Sequence, residues 1–281
     1  MLKQFVLIIF ISFLSCNSGN LEILVDLPKR LNEVSGNETI TASDLIWMIN
    51  DSGNSTKLYG VNEKGKIIKE LKINAKNNDW EDITSDKEGN LYIGDFGNNE
   101  NKRKNLSILK ILKESLNNSR KIDVERISFK YENQQIFPPK KKDLYFDCEA
   151  FFHYRDSLFL FTKSRVKGNF GKTNLYKIPA KQGNYTAKLV SSFNTCPEID
   201  CWITGADICN DGKKVALLTS KSVYLFTDFK NSDFFNGTVT GFPLNHISQK
   251  EGICFKNDST IYITDEKAHG SDGFLYKFKL N

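Results

Sequence analysis

Histidine is scarce, 3 among 281 residues, and no Gly-x-Ser-x-Gly, Walker loop or Cys-x-x-Cys pair occurs. These absences argue against a His-rich metal site, a nucleophile elbow, a P-loop and a dithiol redox motif. Charge of one sign is also in short supply: 39 basic against 34 acidic side chains leave +5, scattered along the chain. So small a surplus gives no footprint for nucleic acid, and none is expected as a partner. Beyond the first twenty residues there is no long apolar run, so nothing there reads as a membrane span. What is present is core material, 40% hydrophobic and 12% aromatic, which excludes a disordered chain.

The leading segment reads as an address. Lys3 precedes an apolar run from Phe5 to Leu14, broken only by Ser12. Ten residues are too few to cross a core of ~30 Å as a helix, and they fit the h-region of a secretory signal. The run ends in Phe13-Leu14-Ser15-Cys16, followed by Asn17-Ser18-Gly19-Asn20. This resembles the bacterial lipoprotein signal, in which a small residue precedes a Cys that is lipidated and becomes the new N-terminus. That pattern prefers Leu where Phe13 stands; the alternative is an ordinary signal peptide with an incidental Cys. The resemblance implies a signal peptide at 1–15, a lipidated Cys16 with a short linker to residue 20, and one domain over 21–281. It also implies a cell-envelope location, at the periplasmic face or the cell surface, with the membrane touched through the lipid alone. In an export setting Cys196 and Cys201, which bracket Pro-Glu-Ile-Asp, can close a small disulfide loop. Cys148, Cys209 and Cys254 read as small buried hydrophobes.

An internal repeat organises the rest. Five short acidic motifs open five similar blocks: Asn32-Glu33-Val34-Ser35-Gly36, Trp80-Glu81-Asp82-Ile83, Cys148-Glu149-Ala150-Phe151, Gly205-Ala206-Asp207-Ile208 and Lys250-Glu251-Gly252-Ile253. The acids are 48, 68, 58 and 44 positions apart, a span that suits one four-stranded unit each. Turn residues follow, then apolar second strands that end on polar groups: Asp51, Asp95, Lys163, Lys221 and Asp265. Third strands carry Leu58-Tyr59, Leu175-Tyr176, Val223-Tyr224 and Leu275-Tyr276, with Ile108-Leu109 in the second block. Fourth strands are read at 67–73, 124–131, 187–193 and 239–244. The last block lacks a fourth strand, and Leu21 to Leu27 precedes the first motif as a candidate to supply it, which would hide an open edge. The expectation is an all-β fold, a single β-propeller of five four-stranded blades closed by that leading strand. Six blades, with one concealed in the long second block, and a two-sheet sandwich are the alternatives.

In such a ring the first strands start, and the second strands end, around one mouth. Glu33, Glu81, Asp82, Glu149, Asp207 and Glu251 would gather there, with Asp51, Asp95 and Asp265 nearby. Crowded carboxylates repel and need compensation. A hard divalent cation such as Ca²⁺ can supply it, since it takes six to eight oxygen ligands and needs no His. Backbone N–H groups of the next blade can supply it, as can Lys163 and Lys221. Asp95-Phe96-Gly97-Asn98-Asn99 offers a close-approach glycine and carbonyl oxygens, so Asn98 joins the candidate ligands. His153 belongs on the opposite face, whereas His246 and His269 lie close enough in sequence to approach the mouth. Trp80 and Trp202 read first as packing residues and second as the floor of a pocket.

Asp79-Trp80-Glu81-Asp82-Ile83, Gly94-Asp95-Phe96-Gly97-Asn98-Asn99, Asp147-Cys148-Glu149-Ala150 and Thr204-Gly205-Ala206-Asp207-Ile208 resemble motifs of secreted bacterial propellers, a loose group including NHL-like, phytase-like and gluconolactonase-like proteins. Calcium-dependent lactonases of that wider set use acidic and Asn ligands at the channel mouth, which implies such roles for Glu33, Glu81, Glu149, Asp207, Asp95 and Asn98. Those metal sites belong to six-bladed rings. Three functions follow as expectations. The first is a lipid-anchored envelope propeller binding a small polar ligand or divalent cation. The second is a Ca²⁺-dependent lactonase or esterase, and the third an interaction scaffold, with an envelope partner, whose acids are structural.

Overall fold

The apolar runs of the inner strands become strands because each finds apolar neighbours on both faces. In the computed structural model, which describes residues 18–41, 43–118, 121–267 and 273–280, β1 (Glu22–Asp26) stands apart from the strands that follow it. The first antiparallel unit is β2 (Val34–Thr39), β3 (Ile46–Asn50), β4 (Lys57–Val61) and β5 (Ile67–Ile73). The second is β6 (Trp80–Ser85), β7 (Leu91–Asp95) and β8 (Leu106–Ile111). Two-residue β9 (Lys121–Ile122) then leaves to pair in parallel with β5, and β10 (Glu125–Tyr131) completes the unit. The third is β11 (Asp147–Tyr154), β12 (Ser157–Lys163), β13 (Lys172–Pro179) and β14 (Gly183–Asn194). The fourth is β15 (Gly205–Ile208), β16 (Val215–Leu218), β17 (Ser222–Thr227) and β18 (Thr238–Pro243). The last is β19 (Lys250–Asn257), β20 (Thr260–Asp265) and β21 (Phe274–Lys279), with β1 antiparallel to β21 on its outer edge.

The innermost strands β2, β6, β11, β15 and β19 each pack beside the next, and β19 packs back on β2. The chain is therefore a β-propeller closed by its leading strand. Each interface between neighbouring units holds one apolar cluster. Along β12, Leu158 and Leu160 pack towards the second unit, while Phe159 and Phe161 pack towards the fourth. Period-two alternation with both faces apolar explains why these strands read as continuous hydrophobic runs. Burying each such side chain contributes about 1.5–3 kcal/mol. Two glycines let the innermost backbones close up. A Cβ on Gly36 would lie 2.9 Å from the Asp82 Cα, and one on Gly252 would lie 2.9 Å from the Asn37 amide nitrogen.

Among the described residues, the surplus length of the second block goes into β9, a four-residue helix (Ser115–Asn118) and the 132–146 loop rather than a further four-stranded sheet. The parallel pairing of β10 with β14, which fuses the outer edges of the second and third units, had no signal in strand periodicity. The disulfide Cys196–Cys201 is formed, and Cys148, Cys209 and Cys254 are buried free thiols, matching their expected roles. Residues 1–17, including the proposed signal and Cys16, lie outside the described residues, as does His269.

Candidate channel-mouth site

Among the described residues, four of the five innermost strands slip by one residue against their second strands, close to where they start. The residues left without a cross-strand partner are Ser35, Glu81, Glu149 and Glu251. A bulge turns its unpaired side chain off the ladder, and this brings three motif acids to one mouth. β15 has no slip, and Asp207 sits inside the ladder opposite Ala216.

The expected ring divides into acids with different fates. Asp82 is fully buried; its carboxylate accepts the backbone N–H of Ile83 at 2.8 Å and of Phe151, in the third unit, at 3.0 Å. Asp207 accepts from Ile208 and from Phe255, in the last unit, both at 2.7 Å. Glu38, absent from the expected set, accepts the Ser85 N–H at 3.1 Å across the first interface. These acids tie neighbouring units together, so Asp82 and Asp207 are corrected from mouth ligands to structural acceptors. Asp95 is likewise engaged. It accepts from the Asn78 side chain at 2.6 Å and the Asp79 N–H at 3.1 Å, and it pairs with Arg103 at 3.1 Å. Asn98 is a loop hub rather than a ligand: its N–H donates to Asp147 at 2.6 Å, its amide to the Phe146 carbonyl at 3.0 Å, and its side-chain oxygen accepts the Arg103 N–H at 2.8 Å. Glu33 is exposed ahead of β2 and bonded to Asn54; Ser35 holds the bulge position in its place.

Glu149 is neutralised by the protein's own cations, Lys163 at 3.0 Å and Arg165 at 3.1 Å. Burial alone would raise its pKa, but Lys163 and Arg165 together hold it below the ordinary carboxylate range. Lys221, the other expected counter-ion, instead pairs at the surface with Glu198 at 2.6 Å.

Glu81 has no such help. Among the described residues none donates a hydrogen bond to its carboxylate. Burial first, then Glu149, Asp51 and Asp79, push its pKa well up. Carboxylate oxygens of Asp51, Asp79 and Glu81 lie within 4.8 Å of one another, at the junction of the first and second units. The nearest cation, Arg103, stands 4.0 Å from Asp79. Gly97 leaves room for this group: a Cβ there would fall 1.9 Å from the Glu81 Oε1 and 2.6 Å from the Asp79 carboxylate. An all-oxygen set of three carboxylates, one of them without a donor, fits a hard divalent cation. Asp79 was missed in the sequence, though Asp-x-Glu recurs as Asp79-Trp80-Glu81 and Asp147-Cys148-Glu149.

Across the mouth, burial raises Glu251 to about 7 and Glu266 to about 8. Trp202 lies against the two cations of Glu149, its ring 5.0 Å from Lys163 Nζ and 4.8 Å from Arg165 Cζ, while Trp80 is wholly core. His246 turns to Lys250, 3.1 Å away, and not to the acids. At the other end of the channel a cavity of about 750 Å³ is lined by Glu38, Asp86, Tyr92, His153 and Asp207 among others, so His153 is on the face expected for it. That cavity is roomy, but the carboxylates of Glu38, Asp86 and Asp207 already accept hydrogen bonds.

The fold is similar to that of a gluconolactonase from Xanthomonas campestris, with TM-score 0.52, 11% identity, and 96% of this chain and 94% of that chain covered. It is also similar to the PQQ-bound aldose sugar dehydrogenase of Streptomyces coelicolor, with TM-score 0.51, 9% identity, and coverage of 93% and 98%. At these identities the likeness is one of fold. No protein-family model matches the chain, and no curated protein matches it in sequence.

Proposed function

We propose that the channel mouth binds a hard divalent cation, Ca²⁺ by chemistry, through Asp51, Asp79 and Glu81, and with it a small polar ligand. The supporting observation is the contrast between two copies of Asp-x-Glu. Asp147 and Glu149 carry their own Lys163 and Arg165, whereas Asp79 and Glu81 face Asp51 with Arg103 no nearer than 4.0 Å, and among the described residues no ion pair reaches Glu81 or Asp51. Three crowded carboxylates favour a divalent ion over protons wherever one is available. The reading includes a place in the cell envelope through a lipid on Cys16, tested by labelling with a palmitate analogue and by its loss in Cys16→Ala.

Calorimetric Ca²⁺ titration and thermal melts with Ca²⁺ or chelator test the site. Ligand at a hundred times Kd stabilises by about 2.7 kcal/mol, which for a chain of this size raises Tm by roughly 5 °C. Glu81→Gln removes that rise. A Tm indifferent to both Ca²⁺ and chelator rejects the proposal.

A second reading is hydrolysis of a lactone or ester, favoured by Glu251, which shares the bulge position of Glu81 and holds its proton to about 7. A bound cation supplies carbonyl polarisation. Glu251 then takes a proton from attacking water near neutral pH. Because a gluconolactonase shares this fold, sugar lactones form the first panel. Wild-type turnover in a folded Glu251→Gln variant would remove this reading and leave the cation site standing.

A further inference from the structure

Arg165 is held more firmly than a counter-ion needs to be. Its Nε donates to Asp147 at 2.6 Å, its Nη2 donates to Glu149 at 3.1 Å and to the Asn99 side chain, and the Trp202 indole covers its Cζ at 4.8 Å. These contacts fix the plane of the guanidinium while the side chain stays 21% exposed. Among the described residues none accepts a hydrogen bond from Nη1. An arginine locked on two edges presents the remaining edge in a set direction, with little entropy left to lose on binding.

That edge shares a wall with the cation site. Asn99, which accepts from Arg165, is two residues from Gly97, which makes room for Glu81 and Asp79. Glu149 and Asp147, the partners of Arg165, are among the charges that act on Glu81. We propose that Arg165 receives the carboxylate of a small monoanionic ligand, one oxygen on Nη1 and the other on the cation held by Asp51, Asp79 and Glu81. This rests on the cation reading above. A charged, planar donor is matched by a charged, planar acceptor, and such bonds are roughly twice as strong as neutral ones. A phosphate dianion fits poorly. Its further oxygens need further donors, yet Lys163 is committed to Glu149 at 3.0 Å, and Glu251 and Glu266 stand across the mouth. Without the cation the surrounding acids repel any anion, so carboxylate and cation bind cooperatively, each tightening the other by the same factor.

The test is Ca²⁺ calorimetry on the full chain in acetate, methyl phosphate or chloride at equal ionic strength. Acetate tightens Ca²⁺ binding by about tenfold or more over chloride, and methyl phosphate does so less. Arg165→Lys keeps the charge but not the fork; it binds Ca²⁺ and loses the acetate effect. Arg165→Gln, if folded, does the same. Ca²⁺ binding that ignores acetate in the wild type overturns this inference and leaves the cation site intact, whatever the variants do. Stronger tightening by methyl phosphate overturns the choice of carboxylate. Absence of Ca²⁺ binding overturns both readings.

Discussion

Asp207 separates structural acids from ligand-facing ones through pH. It is 6% exposed, accepts two backbone N–H groups at 2.7 Å, and burial nonetheless holds it at about 7. In the unfolded chain it titrates near ~3.9. Between these values the unfolded chain has released its proton and the native state has kept it. Stability from this group therefore falls as pH rises from about 4 to about 7, and is level above that. At about 1.4 kcal/mol per pH unit the loss is on the order of 4 kcal/mol. Asp207→Asn abolishes the titration but turns an amide N–H₂ towards one backbone donor, at a fixed cost of about 1–3 kcal/mol. In urea unfolding series from pH 4.5 to 8, the variant is less stable than wild type at the acid end. The gap closes or reverses by pH 7.5. A stability difference that does not change with pH refutes the assignment of the proton to this site.

The remaining predictions address the same division. Asp82→Asn lowers the unfolding free energy by about 1–3 kcal/mol and leaves Ca²⁺ affinity at the wild-type value in calorimetry; weakened Ca²⁺ binding would return Asp82 to the mouth. Gly97→Ala displaces the Glu81 and Asp79 carboxylates, which are flexible side-chain ends, so the melt without metal stays near wild type while Ca²⁺ affinity falls roughly tenfold. Reduction of Cys196–Cys201, or Ser at both positions, costs about 2 kcal/mol from loop entropy, read as a Tm lower by several degrees in melts with reductant.

The propeller was legible because its signals are local and repeated. Strands 67–73 and 124–131 could be placed within a residue from alternation alone, and a last block one strand short pointed to the leading segment. What could not be read was register. Whether a motif acid is paired in the ladder or turned out of it depends on a one-residue slip. The fourth motif shows its acid one place along, at Asp207, level with Asp82, but does not announce that β15 lacks the slip found in β6, β11 and β19. The same blindness put Glu33 where Ser35 stands. Cations were the other gap. Lys163 ends β12, whereas Lys221 lies past β16, just before β17, and of the two only Lys163 reaches a motif acid. Arg165, two positions further on, lies past the strand end and carries no repeat signal.

Two of the three ways to relieve crowded carboxylates operate here, at different acids, and the proposed cation would be the third. Backbone N–H groups serve Asp82 and Asp207, and side-chain cations serve Glu149. Asp51, Asp79 and Glu81 have neither in sufficient measure, and burial raises all three pKa values, Asp51 to about 6. A buried acid whose relief lies within the fold adds rigidity, because its partners are always present. An acid without such relief is stable only as a proton carrier or a cation ligand, and so responds to what the solvent contains. Repetition of an acidic strand start thus gives one motif room for two jobs: holding the ring together where donors are supplied and, under the proposed reading, taking up a cation where they are not.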